Sequence, residues 1–148
     1  MPRPPEYENL IRTGAFGPVT RTDGAVEGFL KNAREDLEVA KGIDVARAKQ
    51  RFTLAYEGFY GLVQAVLEFY EVRTKDSGRQ LAIQRVAADL KLNPDQQRLV
   101  SQAHARRNET IYRSPFPPIS RAEALAMIEI LEKALPVAHA LTGVAAPA

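Results

Sequence analysis

The sequence predicts an all-α fold, an antiparallel up-and-down bundle of about four to five helices, on three observations. Apolar residues recur at i, i+3, i+4 and i+7 through most of the chain, which is the period of one helical face. Capping boxes stand ahead of two such stretches, at Asn93 to Gln96 and at Ser120 to Glu123. No segment of useful length alternates apolar and polar residues as a half-buried strand does, and helical stripes are buried most directly against one another.

Residues 1–22 hold Pro2, Pro4, Pro5, Gly14, Gly17 and Pro18 with no sustained period, and read as an irregular arm. Gly14-Ala15-Phe16-Gly17 lacks the Lys-Ser/Thr and the glycine spacing of a phosphate loop. The bundle is expected over residues 23–143. Asp23 is placed to cap a first helix carrying Val26, Phe29, Leu30, Ala33, Leu37 and Ala40, with Gly42 as its stop. A longer helix from about Asp44 to about Arg73 carries Phe52, Ala55, Phe59, Leu62, Val63, Val66, Leu67 and Tyr70 on one broad stripe. Gly58, Gly61 and Ala65 lie on its flank, where small residues at helical spacing suit close approach by another helix or a second subunit. After the polar loop at Thr74 to Gly78, Leu81, Ile83, Val86, Ala87 and Leu90 give a third helix ending near Leu92. Asn93-Pro94 opens a fourth, running to about Tyr112, and Ser114 to Pro118 breaks it, because proline lacks an N–H and restricts the residue before it. The last helix starts after Ser120 and should kink or end at Pro136; a continuation would stop at Gly143, leaving residues 144–148 as a frayed tail.

Composition narrows the chemistry. The 148 residues contain no Cys, which excludes thiolate nucleophiles, disulfides, thiolate zinc sites and iron–sulfur clusters. His104 and His139 are too few for a histidine metal site, and neither a metal nor a cofactor is expected. No run approaches the roughly 20 apolar residues of a membrane span, and Met1 to Glu6 has no secretory core, so a cytoplasmic location with no membrane partner is expected. A net charge of +2 permits contact with nucleic acid without arguing for it.

The informative segment is His104-Ala105-Arg106-Arg107-Asn108-Glu109-Thr110-Ile111-Tyr112-Arg113. Leu99, Val100, Ala103 and Ile111 define one helical face, and Arg107 projects near its centre. A guanidinium on the core side must be paired or hydrogen-bonded. It can serve a ligand, snorkel out of an open bundle, or make a purely architectural salt bridge. Asp36, on the margin of the first helix's stripe, is the carboxylate expected to pair with it, whereas Glu57 and Glu68 face away from their helix's stripe and read as solvated. Arg106, Arg113 and Arg121 extend a candidate phosphate-binding patch. His104 and Asn108 border the Arg107 face, with Tyr112 on the same line.

The run Ala33-Arg34-Glu35-Asp36-Leu37-Glu38-Val39-Ala40, the Ala55-Tyr56-Glu57 region, and Arg107-Asn108-Glu109-Thr110-Ile111-Tyr112 followed by proline and an Ala/Leu-rich last helix resemble the HEPN family, the helical domains named for higher eukaryotes and prokaryotes nucleotide-binding. The resemblance covers roughly residues 25–142. It implies a homodimer with a shared cleft near the Arg-bearing helices. Active members are metal-independent RNA nucleases whose motif is an arginine, often an asparagine beside it, and a histidine a few residues on. Arg107 and Asn108 match the start of that motif, but Tyr112 stands where the histidine belongs. Tyrosine, with an ordinary pKa near 10, is a poor proton shuttle at neutral pH. The resemblance therefore implies a non-catalytic, dimeric module binding RNA, a nucleotide or a nucleotidyltransferase-type partner, as in toxin–antitoxin or defence systems. One alternative is a metal-independent ribonuclease with a non-standard site made of Arg107, Asn108, Tyr112 and His104. The other is a helical scaffold in which Arg107 is structural.

Overall fold

The elements of the computed structural model, which describes residues 3–75, 78–108 and 117–147, run in the order α1 (Pro5–Arg12), β1 (Phe16–Pro18), α2 (Ala25–Gly42), α3 (Ala48–Phe69), β2 (Val72–Thr74), α4 (Arg79–Asp89), α5 (Pro94–Asn108) and α6 (Arg121–Thr142). The expected all-α bundle is present. Four of the helices alternate in direction. Gly61 of α3 faces Phe29 and Ala33 of α2, Gly58 faces Ala33 and Asp36, and Arg51 reaches the Ala40 carbonyl, so α2 and α3 are antiparallel. Along α6, Glu123 bonds Arg106 and Lys133 bonds Gln96, so α5 and α6 are antiparallel too. Both expected capping boxes form. Asn93 and Gln96 exchange side-chain to backbone bonds of 2.8 and 3.0 Å, and Ser120 and Glu123 do the same at 3.0 and 2.9 Å. Among the described residues, no helix is long and apolar enough to cross a membrane.

Helix α3 is the spine of the core: Ala55, Tyr56, Phe59, Leu62, Val63, Ala65 and Val66 are all fully buried. It is covered on one side by α2 and α6 and on another by α4 and α5. The small residues on its flank admit close approach within the chain. A Cβ at Gly58 would sit 2.7 Å from Leu131 Cδ2 of α6 and 3.1 Å from Asp36 Cβ of α2, whereas one at Gly61 would meet nothing nearer than 3.5 Å.

Several boundaries correct the sequence reading. The arm over residues 1–22 is not irregular: it contains α1, with Pro5 in the first turn, and β1, which pairs antiparallel with β2 in the register Phe16↔Thr74, Gly17↔Arg73 and Pro18↔Val72. The arm is held by cationic side chains on carbonyls at and just past the C-terminal end of α3, and by the Val19 N–H, which donates to the Glu71 carbonyl at 3.0 Å. Arg3 donates to the Tyr70 carbonyl at 2.6 Å and the Glu71 carbonyl at 3.0 Å, and Arg21 to the Phe69 carbonyl. Tyr7 of α1 is fully buried and bonds Asp89 of α4 at 2.6 Å. The second long helix is shorter than expected at both ends. Asp23 does not cap α2, whose N-cap is Gly24 in the left-handed region. Pro136 does not end α6, which continues to its left-handed C-cap at Gly143. The tail is not simply frayed: Val144 packs against the core, and its carbonyl accepts from His139.

The glycine contacts yield a paired prediction. Gly58→Ala should destabilise by about 1–3 kcal/mol, because the new methyl overlaps the buried Leu131 side chain. Gly61→Ala has room and gains helix propensity, so its stability should be unchanged or raised by up to about 1 kcal/mol. Urea melts of the two variants check this; equal effects would show that Gly58 is not a packing constraint.

Candidate functional site

Helices α3, α4 and α5 bring six polar side chains together. The residue at the centre is Tyr56, whose fully buried ring carries a hydroxyl that cannot be left unpaired without cost. That oxygen lies 2.9 Å from His104 Nδ1 of α5 and 3.4 Å from Arg79 Nη1 of α4. The Arg79 guanidinium also stacks on Tyr60, one turn along α3, 3.9 Å from the ring centroid. Glu57, beside Tyr56, places Oε1 2.8 Å from Arg107 Nη2. Arg107 Nη1 donates to Asn108 Oδ1 at 3.3 Å, and Asn108 Nδ2 lies 3.3 Å from His104 Nε2. Glu57, Arg79, His104, Arg107 and Asn108 are partly exposed and Tyr56 and Tyr60 are buried, so this is a polar face open to solvent on two buried rings.

The chemistry of the donors assigns the protons. Arginine cannot accept, so Asn108 turns its carbonyl to Arg107 and its NH2 to His104. Nε2 of His104 is then the acceptor, and Nδ1–H donates to Tyr56, whose two lone pairs serve His104 and Arg79. Burial lowers the His104 pKa from its ordinary 6.5, and the nearby Arg79 and Arg107 lower it further, against a weaker opposing effect of Glu57. A second proton on His104 would set two donors face to face at Asn108, so the hydrogen bonds and the charges agree on a neutral ring. Burial raises the Tyr56 pKa above its ordinary value of 10.0 despite the Arg79 hydrogen bond.

The expected residues divide into three groups. Arg107, Asn108 and His104 converge as a set. Tyr112 and Arg113 lie outside the described residues, and Arg121 is exposed at the start of α6. Arg106 serves the architecture: its guanidinium donates to Glu123 at 2.9 and 3.2 Å and to the carbonyls of Pro117 and Pro118 at 2.9 and 3.0 Å. This contact is the first cause of a lowered Glu123 pKa.

The carboxylates correct the sequence reading. Glu57, read as solvated, is half-buried and is the carboxylate in ion-pair range of Arg107 among the described residues. Asp36 sits nearby as a second acid; burial raises its pKa first, then the charges of Glu57 and Glu35. Arg79 and Tyr60 were missed altogether. Tyr56 and Tyr60, two phenols one turn apart among the buried positions of α3, are the available signal, since a buried phenol implies a polar partner. Among the described residues there is no cluster of His, Asp and Glu able to hold a metal ion. No protein-family model matches the chain, and no curated protein matches it.

Two predictions follow the proton and charge assignments. In an NMR titration, the His104 ring should show its midpoint below 6.5. Because the folded state disfavours the proton, this residue's contribution to stability is complete above 6.5 and declines as pH falls from there to its folded value. A midpoint above 6.5 would overturn the assigned network. Arg106→Ala should lower stability by about 1–2 kcal/mol through loss of its links between α5, the Pro117–Pro118 segment and α6. An Arg106→Ala protein as stable as wild type in urea would show those contacts to be incidental.

Proposed function

We propose that this chain is a HEPN-like, dimeric module that binds the phosphodiester backbone of RNA at the Arg79–Arg107 face without cleaving it. The observation that carries the reading is the convergence of two guanidiniums and a neutral imidazole on one partly exposed face, with Glu57 as the counter-charge. Guanidinium groups match phosphate geometry and charge. The Glu57 contact is close but loose: Oε1 is 2.8 Å from Arg107 yet makes no hydrogen bond among the described residues, so a phosphate oxygen can take its place with better alignment. The pairing with a nucleotidyltransferase-type protein, and a role in toxin–antitoxin or defence systems, belong to the same proposal and rest on the resemblance of the Arg107-Asn108 segment.

Binding is favoured over cleavage by proton inventory. Metal-free cleavage needs a base to take the 2′-hydroxyl proton and an acid to protonate the departing 5′-oxygen. His104, held neutral, suits the first task. Tyr56, with its proton held more tightly than an ordinary phenol's, does not suit the second. The ribonuclease reading is kept by one observation: His104 lies in the same chain's Arg107 face, joined to it through Asn108.

Fluorescence anisotropy with a labelled single-stranded RNA in chelator tests both. Arg107→Ala and Arg79→Ala should each weaken binding about ten- to a hundredfold, the worth of a charge-assisted hydrogen bond, and each should reduce the salt dependence. Affinity unchanged in both variants, or no binding by wild type, would sink the proposal. Cleavage by wild type that is lost in Arg107→Ala and His104→Ala would establish the ribonuclease instead. Light scattering that shows only monomer across a broad concentration range would remove the dimer.

A further inference from the structure

A single amide couples His104 to Arg107. Asn108 Nδ2 is 3.3 Å from His104 Nε2, and Asn108 Oδ1 is 3.3 Å from Arg107 Nη1. An amide has a donor end and an acceptor end, so the two contacts are not independent: whichever end faces His104, the opposite end faces Arg107. With the ring neutral and Nδ1–H given to the Tyr56 hydroxyl, Nε2 offers a lone pair, the NH2 end turns to it, and the carbonyl is left for Arg107. A proton added at Nε2 reverses that demand, because Nε2–H then meets the NH2, donor against donor. Half a turn about the terminal torsion of Asn108 relieves the conflict, and that torsion is broad and roughly two-fold, so the turn costs little in itself. Asn108 is partly exposed at the end of α5, and its amide is not clamped in the core. After the turn its carbonyl accepts from His104, and Arg107 has lost its bond to Asn108.

The groups around the ring decide when it takes the proton. From α3, Tyr56 holds Nδ1–H and the Glu57 charge favours protonation; from α4, Arg79 opposes it, as does Arg107 on α5 itself. Asp36 of α2 bears on Glu57, and Arg106 of α5 is turned away to Glu123 of α6. Burial and the two arginines outweigh Glu57, so the neutral ring is the state at neutral pH.

We propose that His104 and Asn108 form a proton-driven relay that regulates the Arg107 phosphate site: protonation of the ring turns the Asn108 amide, withdraws its carbonyl from Arg107, and hands that Arg107 donor to a phosphate oxygen, so binding strengthens in acid. The effect on binding rests on the RNA reading above, whereas the turn of the amide does not. Linkage makes the effect reciprocal, and bound RNA raises the His104 midpoint. The imidazolium charge acts in the same direction as the relay, and an Asn108 variant separates the two.

Two measurements on the full chain test the relay. In the free protein, NMR should show the Asn108 NH2 protons losing their hydrogen-bonded shift along the same titration curve as the His104 ring. With a labelled single-stranded RNA, anisotropy should give an affinity about tenfold higher at about one unit below the His104 midpoint than at about one unit above it, the worth of one hydrogen bond to a charged group. His104→Gln, which does not titrate and leaves His139 in place, should abolish that response. Asn108→Ala, folded by circular dichroism, keeps the imidazolium charge but has no amide; it should bind more tightly than wild type above the midpoint and respond to pH less. Asn108 protons that ignore the His104 titration, a response that survives His104→Gln, or an Asn108→Ala protein with the full response would each overturn the relay. Absence of RNA binding at both pH values would sink the RNA reading and the regulation that rests on it, and the NMR titration would still decide the turn of the amide.

Discussion

The hydroxyl of Tyr56 is the contact on which the polar face depends. Its ring is buried in the core of α3, so the oxygen must find donors in the protein, and it finds them on two other helices: Arg79 of α4 and His104 of α5. The demand of one buried polar atom therefore fixes where α4 and α5 lie against α3. Once α5 is set by His104, Asn108 and Arg107 follow one turn later, and Arg107 meets Glu57, the neighbour of Tyr56. Core packing and the charged face are built from adjacent residues of one helix.

A second constraint closes the other end of the bundle. The carbonyls of Phe69, Tyr70 and Glu71, at and just past the end of α3, receive Arg21 and Arg3, both from the N-terminal arm. Glu68 and Glu71 return the bond by accepting from the backbone of Thr22 and Arg21. This reciprocity, with the short β1–β2 ladder and the Tyr7–Asp89 bond, makes the arm part of the domain. It also explains why β1 exists in a chain with no strand-like period: its three residues pair because the ends around them are already pinned.

How much was legible in the sequence depends on the range of the physics involved. Helix starts at Asn93 and Ser120 were readable because a capping box is complete within four residues. The buried stripe of α3 and the close-packing role of Gly58 were readable because side-chain period and size act through the helix's own geometry. Arg107 was singled out for the same reason, as a charge on an apolar face. Glu57 was misread because it stands at the flank of its stripe, where exposure depends on whether a neighbouring helix covers that flank. Asp36 lies on the margin of its helix's apolar stripe, a position that suits an Arg107 partner, but helical period carries no information about which helices touch.

What the sequence by itself determined is the helical bundle, its capping, its principal core stripe and the presence of an arginine needing a partner, all set by interactions over one or two turns. Only the tertiary structure decided which carboxylate meets Arg107, that Arg79 and Tyr56 join it, that Arg106 is spent on α6, and that residues 3–22 belong to the domain. These outcomes rest on contacts between residues as far apart as Arg3 and Glu71 or Tyr56 and His104. Such contacts form only when the helices have packed, because a hydrogen bond between distant segments must first overcome the entropy of bringing them together.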